Sequence, residues 1–342
     1  MSDDLVARYL RPGTLTLGES PPLSLYIHLP WCVRRCPYCD FNAHQRPASL
    51  PEDAYVNALL ADLALEAPMA LERPLHSIFF GGGTPSLFSA DAIGRILEGV
   101  RSALALEPGC EITLETNPGT AEFDRFEGYL AAGVNRISFG VQSFDDDKLK
   151  RLGRIHGADE ARRAVRMARA AGVDNINLDL MYGLPGQDID GAIADLDAAL
   201  ELEPEHLSHY QLTLEPQTVF ARMPPTDLPD EEALYDMLDA CQSRLVAGRF
   251  QHYEVSAYAR AGRQSRHNRN YWLYGDYLAI GAGGHAKYFH RLLESTCEQY
   301  DVDPNVPWDQ LSAAEQKLML YGVNDKDRVE VKFRNRYGRT RS

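Results

Sequence analysis

Short apolar runs alternate along most of this chain with longer segments of helical period. Leu23–His28 reads as a strand, and Glu52–Glu66 spaces its apolar residues as one helix face does. Ser77–Phe80 is a short buried run that enters Gly81-Gly82-Gly83-Thr84-Pro85. The beat continues with a helix at about 90–105, strand Glu111–Thr116, a helix at about 121–132 and strand Arg136–Val141. A helix at about 157–171, strand Asn175–Leu180, a helix at about 188–201 and strand Leu207–Leu212 follow. No hairpin signal separates successive strands, so the pattern predicts an α/β fold with a parallel sheet and helical crossovers. Six such units rather than eight predict a partial, open barrel. Beyond it, Asp230–Gly248 reads as an amphipathic helix and Gln251–Ala259 as one strand leading into a polar segment, Ser265–Trp272. Residues 1–20 form a polar lead-in without strong periodicity.

Composition narrows the class. At 342 residues, with 44% hydrophobic and 25% charged positions, the chain fits one large globular domain plus an appendage. A net charge of −14 disfavours a nucleic-acid partner, which needs clustered Lys and Arg against phosphate. The first residues, Met-Ser-Asp-Asp-Leu-Val-Ala-Arg, carry acids where a signal peptide has bases, and no run of 18 apolar residues occurs. A cytoplasmic location is expected.

The chemistry concentrates in Tyr26-Ile-His-Leu-Pro-Trp-Cys32-Val-Arg-Arg-Cys36-Pro-Tyr-Cys39-Asp-Phe41, with cysteines spaced C-x3-C-x2-C directly after a strand. Three thiolates on one short loop can hold three corners of a [4Fe–4S] cubane and leave its fourth iron open to another ligand. A zinc site or a disulfide is the alternative, although zinc loops favour a second C-x2-C pair and Cys110, Cys241 and Cys297 stand alone. In a parallel barrel the functional groups gather at the C-terminal ends of strands. The glycines after the second strand let backbone approach a ligand, or simply make a tight turn. Glu115 and Asp179 stand near strand ends as candidate acceptors, Gln142 as an amide that donates and accepts, and Arg154 as a partner for a carboxylate. Each of these taken singly is equally an ordinary polar residue.

The cysteine motif with an aromatic before its last cysteine resembles the radical S-adenosylmethionine (SAM) superfamily. Its context, Tyr-x-His-x-Pro-Trp-Cys through Cys-Asp-Phe-Asn, is similar to the branch that holds oxygen-independent coproporphyrinogen III dehydrogenase and the HemW-type heme chaperones. The resemblance runs from about residue 21 to about residue 287. It implies a radical SAM partial (β/α)6 barrel over 21–215, a HemW-like accessory region over 216–290 and a small α+β extension. It implies that Cys32, Cys36 and Cys39 hold the cluster, that the open iron chelates SAM, and that Tyr26, Gly83, Thr84, Glu115, Gln142, Arg154 and Asp179 surround SAM. The implied chemistry is reductive cleavage of SAM to methionine and a 5′-deoxyadenosyl radical, which requires an electron donor for the cluster. The segment Ser265-Arg-His267-Asn268-Arg-Asn270-Tyr271-Trp272 resembles the His-Asn-x-x-Tyr-Trp motif that HemW-type proteins associate with heme. His267 is therefore the candidate axial ligand and His285 a weaker one.

Two departures bear on function. The dehydrogenases carry a further cysteine where this chain has Phe41, which favours the chaperone branch. Relatives continue after residue 287 into a helical domain, whereas residues from about 297 to 342 resemble a fragment of the excinuclease ATPase and turn basic. That switch reads as a fusion or rearrangement in an atypical tail over 291–342, with a helix at Leu311–Leu320, a strand at Val329–Arg334 and no inferred DNA binding. The expected function is a heme chaperone that binds heme and passes it to an acceptor such as a respiratory enzyme. Coproporphyrinogen III dehydrogenase is the alternative, and a remnant without activity a third reading.

Overall fold

The computed structural model describes residues 20–120 and 123–281, with positions 302, 312, 333–334 and 340–341 beyond them. Two compact units divide the chain, Met1–Gly281 and Ala282–Ser342. His285 and Cys297 lie outside the described residues, as does the predicted helix Leu311–Leu320 apart from Ser312.

In the first unit the predicted strands appear as β1 (Leu23–Leu29), β4 (Leu75–Gly82), β5 (Leu106–Thr116), β6 (Arg136–Gln142), β7 (Ile176–Tyr182) and β8 (His206–Gln211). They pair side by side in parallel in that order. Short strands β2 (Trp31–Cys32) and β3 (His44–Gln45) form a separate parallel pair at the stem of the cysteine loop. The crossover helices are α1 (Glu52–Glu66), α2 (Ala90–Ala103), α3 (Phe123–Ala132), α4 (Asp146–Arg151), α5 (Ala158–Ala170) and α6 (Ile189–Leu200). Among the described residues, no helix is long and apolar enough to cross a membrane.

Local chemistry sets these boundaries. Ser89 accepts a hydrogen bond from the amide of Ala92, Asp145 from those of Asp147 and Lys148, and Asp188 from that of Gly191, so α2, α4 and α6 each begin on a side-chain cap. In α2 the buried residues Ala92, Ile93, Ile96, Leu97 and Val100 repeat at helical spacing and form one face. That face joins Leu25, Ile27, Ile78, Phe80, Ile112 and Leu114 of the sheet in the main hydrophobic core. Each such side chain contributes about 1.5–3 kcal/mol by leaving water.

The alternate strand positions face the barrel interior, and there the chain is polar. Ser24 and Ser77 share a hydrogen bond of 2.8 Å, and Thr113, Arg136, Ser138, Asn177 and His206 are all buried. This inward polarity explains why the strands alternate rather than read as unbroken apolar runs, the commoner pattern for a parallel sheet covered on both faces.

Past the barrel, α7 (Val219–Arg222) and α8 (Glu231–Ala247) lead to two departures from the sequence-based expectation and a strand it did not include. The single strand expected over Gln251–Ala259 is a hairpin, β9 (Gln251–Glu254) and β10 (Ala257–Ala259), which adds antiparallel to β8. The polar segment expected around His267 is a helix, α9 (Arg266–Trp272), capped by Ser265 and packed against β1 and β4. Its successor β11 (Asp276–Ile280) pairs parallel with β1, at the opposite edge of the same sheet. In the second unit the described residues include an antiparallel pair, β12 (Phe333–Arg334) and β13 (Thr340–Arg341).

Candidate active site

The cysteine loop is held by its own backbone. The amide of His44 donates to the carbonyl of Pro30 at 2.7 Å and that of Arg46 to Cys32 at 2.8 Å, while Arg35 donates to the carbonyls of Cys39 and Phe41. His28 at the end of β1 bridges stem and loop, with Nε2 2.9 Å from the Asn42 carbonyl and Nδ1 3.0 Å from Tyr26 Oη. Because Nε2 must donate to that carbonyl, Nδ1 accepts from the tyrosine.

The glycine loop is the floor of this stem. Gly82 has φ +118°, and a Cβ on Gly83 would stand 2.5 Å from the Trp31 carbonyl oxygen. The amides of Gly83 and Thr84 donate to the carbonyls of Leu29 and Trp31, at 2.8 and 2.7 Å. Glycine at these positions therefore seats β4 against the cysteine loop, while Gly82, Gly83 and Thr84 also line a cavity at the strand ends.

This cavity, of about 250 Å³, has Cys32, Cys36, Cys39, Gly83, Thr84, Glu115, Gln142, Arg154 and Asp179 among the residues that line it. All nine are predicted site residues. Tyr26 is not in the lining; it lies over Gly81, beside the cavity. The described cysteines are all free. Burial, then the neighbouring Cys39 and Cys36, pushes the Cys32 thiol up to about 11, and burial raises Cys39 too. Among the described residues no three His, Cys, Asp or Glu side chains are grouped so as to hold a metal ion. A mononuclear ion needs its ligands around one point, whereas a cubane takes each sulfur on a separate iron.

Beside Cys36, Arg154 donates to the Gly140 carbonyl and places Nη1 3.6 Å from the thiol sulfur. It meets no protein carboxylate there. Among the described residues its Nε and the Oγ1 of Thr116 are buried without a partner, and both residues line the cavity. Gln142 has φ 75°, at a register shift between β6 and β7, and Tyr210 Oη donates to its Oε1 at 2.7 Å. A left-handed glutamine is strained backbone at a point that aims its amide into the cavity.

The two carboxylates differ. Burial, then the charge of Asp179, pushes Glu115 up to about 8. Burial raises Asp179 as well, but hydrogen bonds from Ser208, Asn177 and Ser138 and the charge of Arg136 oppose it. Asp179 is the better anion of the pair.

His267 is elsewhere. It is 4% exposed in α9, stacked on Phe79 with ring centroids 4.6 Å apart and edge-on to Tyr271 at 4.9 Å. Its Nδ1 has no partner among the described residues, and burial, then Arg136, lowers the imidazole to about 4. His267, the candidate axial ligand, therefore stands in a short helix with its ring buried by aromatic packing.

The sequence reading missed Tyr38, Thr116, Asn117 and Tyr210, which also line the cavity. Tyr210 was within reach of the strand-end rule, since it follows His206 and Ser208 on the inward positions of β8.

Comparison with known proteins now decides the family. Residues 26–199 match the Radical SAM superfamily, and residues 278–342 match the UvrA DNA-binding domain. The heme chaperone HemW of Escherichia coli is 55% identical over 267 residues, 78% of this chain and 70% of that one. That of Haemophilus influenzae is 54% identical over 275 residues, 79% and 72% respectively. This chain belongs to the HemW-type radical SAM proteins. The solved structure of E. coli coproporphyrinogen III oxidase HemN, a radical SAM enzyme, aligns at TM-score 0.65 and 29% identity, over 71% of this chain and 56% of that one. Radical SAM membership implies a [4Fe–4S] cluster and SAM, and this cavity fits both: three free thiols, two carboxylates, and polar atoms of Arg154 and Thr116 that have no partner among the described residues.

Proposed function

We propose that this chain is a heme chaperone, which binds heme and hands it to an acceptor protein, such as a respiratory enzyme, in the cytoplasm. In this reading Cys32, Cys36 and Cys39 hold a [4Fe–4S] cluster, reduced by a separate electron donor, and SAM occupies the adjoining cavity. The observation that carries it is 54–55% identity to HemW proteins across most of both chains. Phe41, 63% exposed at the cavity edge, supports the chaperone over the dehydrogenase, because it stands where the dehydrogenases have a cysteine.

When bound, the cluster and SAM supply one-electron reductive chemistry. The chain's own part is electrostatic. Arg154 places a cation 3.6 Å from Sγ of Cys36. Asp179 accepts hydrogen bonds from hydroxyl groups of SAM, Glu115 donates as a neutral acid near pH 7, and Gln142 presents its amide. Gly83 and Thr84 hold the cluster loop, and Tyr26 backs Glu115. His267 is held neutral, the ligating form of imidazole, but Phe79 and Tyr271 cover it, so heme ligation through it requires α9 to open.

Anaerobic reconstitution tests the reading. Iron and sulfide near four each per chain are expected, lost on Cys32→Ala, Cys36→Ala or Cys39→Ala and kept in Cys110→Ala and Cys241→Ala. Hemin titration should saturate near one equivalent with a Soret band that His267→Ala shifts. Retention of full iron in all three cysteine variants refutes the cluster assignment. Conversion of coproporphyrinogen III to protoporphyrinogen would make the chain a dehydrogenase instead.

A further inference from the structure

The barrel interior below the cavity holds polar side chains that the proposed chemistry does not use, and they join end to end. Asn177 Nδ2 lies 2.7 Å from Asp179 Oδ1, and Asn177 Oδ1 lies 2.6 Å from His206 Nδ1. His206 Nε2 lies 2.7 Å from Tyr253 Oη, which in turn accepts the amide of Ser265 at 3.2 Å. Ser265 is the N-cap of α9, its hydroxyl accepting from the amide of Asn268. The run therefore starts at a cavity carboxylate and ends at the helix that carries His267.

Its direction is fixed by chemistry. A carboxylate accepts, so Asn177 presents its NH2 to Asp179 and its oxygen to His206. His206 must then carry its proton on Nδ1, which leaves Nε2 bare to accept from the Tyr253 hydroxyl. The tyrosine oxygen is free to take the Ser265 amide. Every donor points toward Asp179. His206 is fully buried, and burial, with Arg136, keeps it neutral, as this tautomer requires. Reversing any link would leave two donors or two acceptors facing each other in the dry interior.

We propose that His206 and Tyr253 are positioning residues that orient Asp179 through Asn177 and tie it to the N-terminus of α9, so that SAM binding and the closure of α9 are coupled. This rests on the reading of the cavity as the SAM site. Coupling between two sites is reciprocal, and values of about 5–150-fold are typical.

Hydrogen–deuterium exchange of the α9 amides, with SAM calorimetry on the cluster-reconstituted chain, tests it. SAM should slow exchange across Arg266–Trp272 by about tenfold in the unaltered chain. Tyr253→Phe should abolish that slowing and weaken SAM severalfold. His206→Gln, which retains a donor and an acceptor, should keep both effects, and His206→Leu should lose both. Unaltered SAM affinity and slowing in Tyr253→Phe would overturn the proposal, because a merely structural tyrosine has no reason to move a ligand-linked signal. If the unaltered chain binds no SAM, the reading of the cavity fails, and the ligand-free chain still decides the tie: Asp179→Ala should speed α9 exchange, and unchanged exchange refutes it.

Discussion

Nη1 of Arg154 lies 3.6 Å from Sγ of Cys36, although 118 positions separate the two residues in the chain. The same guanidinium donates to the Gly140 carbonyl, so the cation is fixed between β6 and the cysteine loop while Nε stays unpartnered. A buried cation with an open donor beside a thiol is placed to meet an anion.

Arg154→Ala should weaken SAM binding by about 1.5–3 kcal/mol, the usual cost of one lost hydrogen bond to a charged group. Arg154→Lys should recover part of this, since the charge remains and the two-pronged geometry does not. Calorimetry on the reconstituted chain measures both. Unchanged affinity in Arg154→Ala would remove this residue from the pocket.

Gly83→Ala should act on the cluster loop. The added Cβ would stand 2.5 Å from the Trp31 oxygen and 2.7 Å from that of Pro30, both backbone atoms that cannot swing aside. A loss of about 1–3 kcal/mol in stability is expected, with lower iron occupancy after reconstitution. Denaturant unfolding and iron analysis check it, and Gly109→Ala, where no atom lies within 4 Å but φ is +72°, separates crowding from backbone strain.

Stability should respond to pH in opposite senses at two buried groups. His267 is lowered to about 4 by burial, then by Arg136. Below its ordinary range the unfolded chain binds the proton that the folded chain refuses, so its contribution is complete above about pH 6.5 and lost as pH falls toward 4. Glu115 is raised to about 8, so the folded chain holds a proton that the unfolded chain has released, and its contribution is complete below about pH 4.5 and lost as pH rises through 8. Each slope is at most about 1.4 kcal/mol per pH unit. Urea unfolding of the cluster-free chain against pH measures it: the gap between the unaltered chain and His267→Phe should change between pH 4 and 6.5, and that for Glu115→Gln between pH 4.5 and 8. A pH-independent gap in either case contradicts the burial of that group.

The cysteine spacing, the six parallel strands and the strand-end residues Glu115, Gln142 and Asp179 were legible in the sequence, because a three-cysteine loop and short apolar runs between helical segments are local patterns. The family resemblance pointed to Gly83 and Thr84, and the structure puts both in the cavity lining with the further task of bracing Trp31. Only the tertiary structure decided that Tyr210 reaches Gln142, that α9 buries His267 against Phe79, and that β11 returns to pair with β1. Those outcomes depend on which distant surfaces meet. His267 shows the reason: the polar segment around it carries no local sign of burial, and only packing inside a barrel with a polar interior makes burial of such a segment possible, since Glu111 accepts the amides of Arg266 and His267 and Tyr253 accepts that of Ser265.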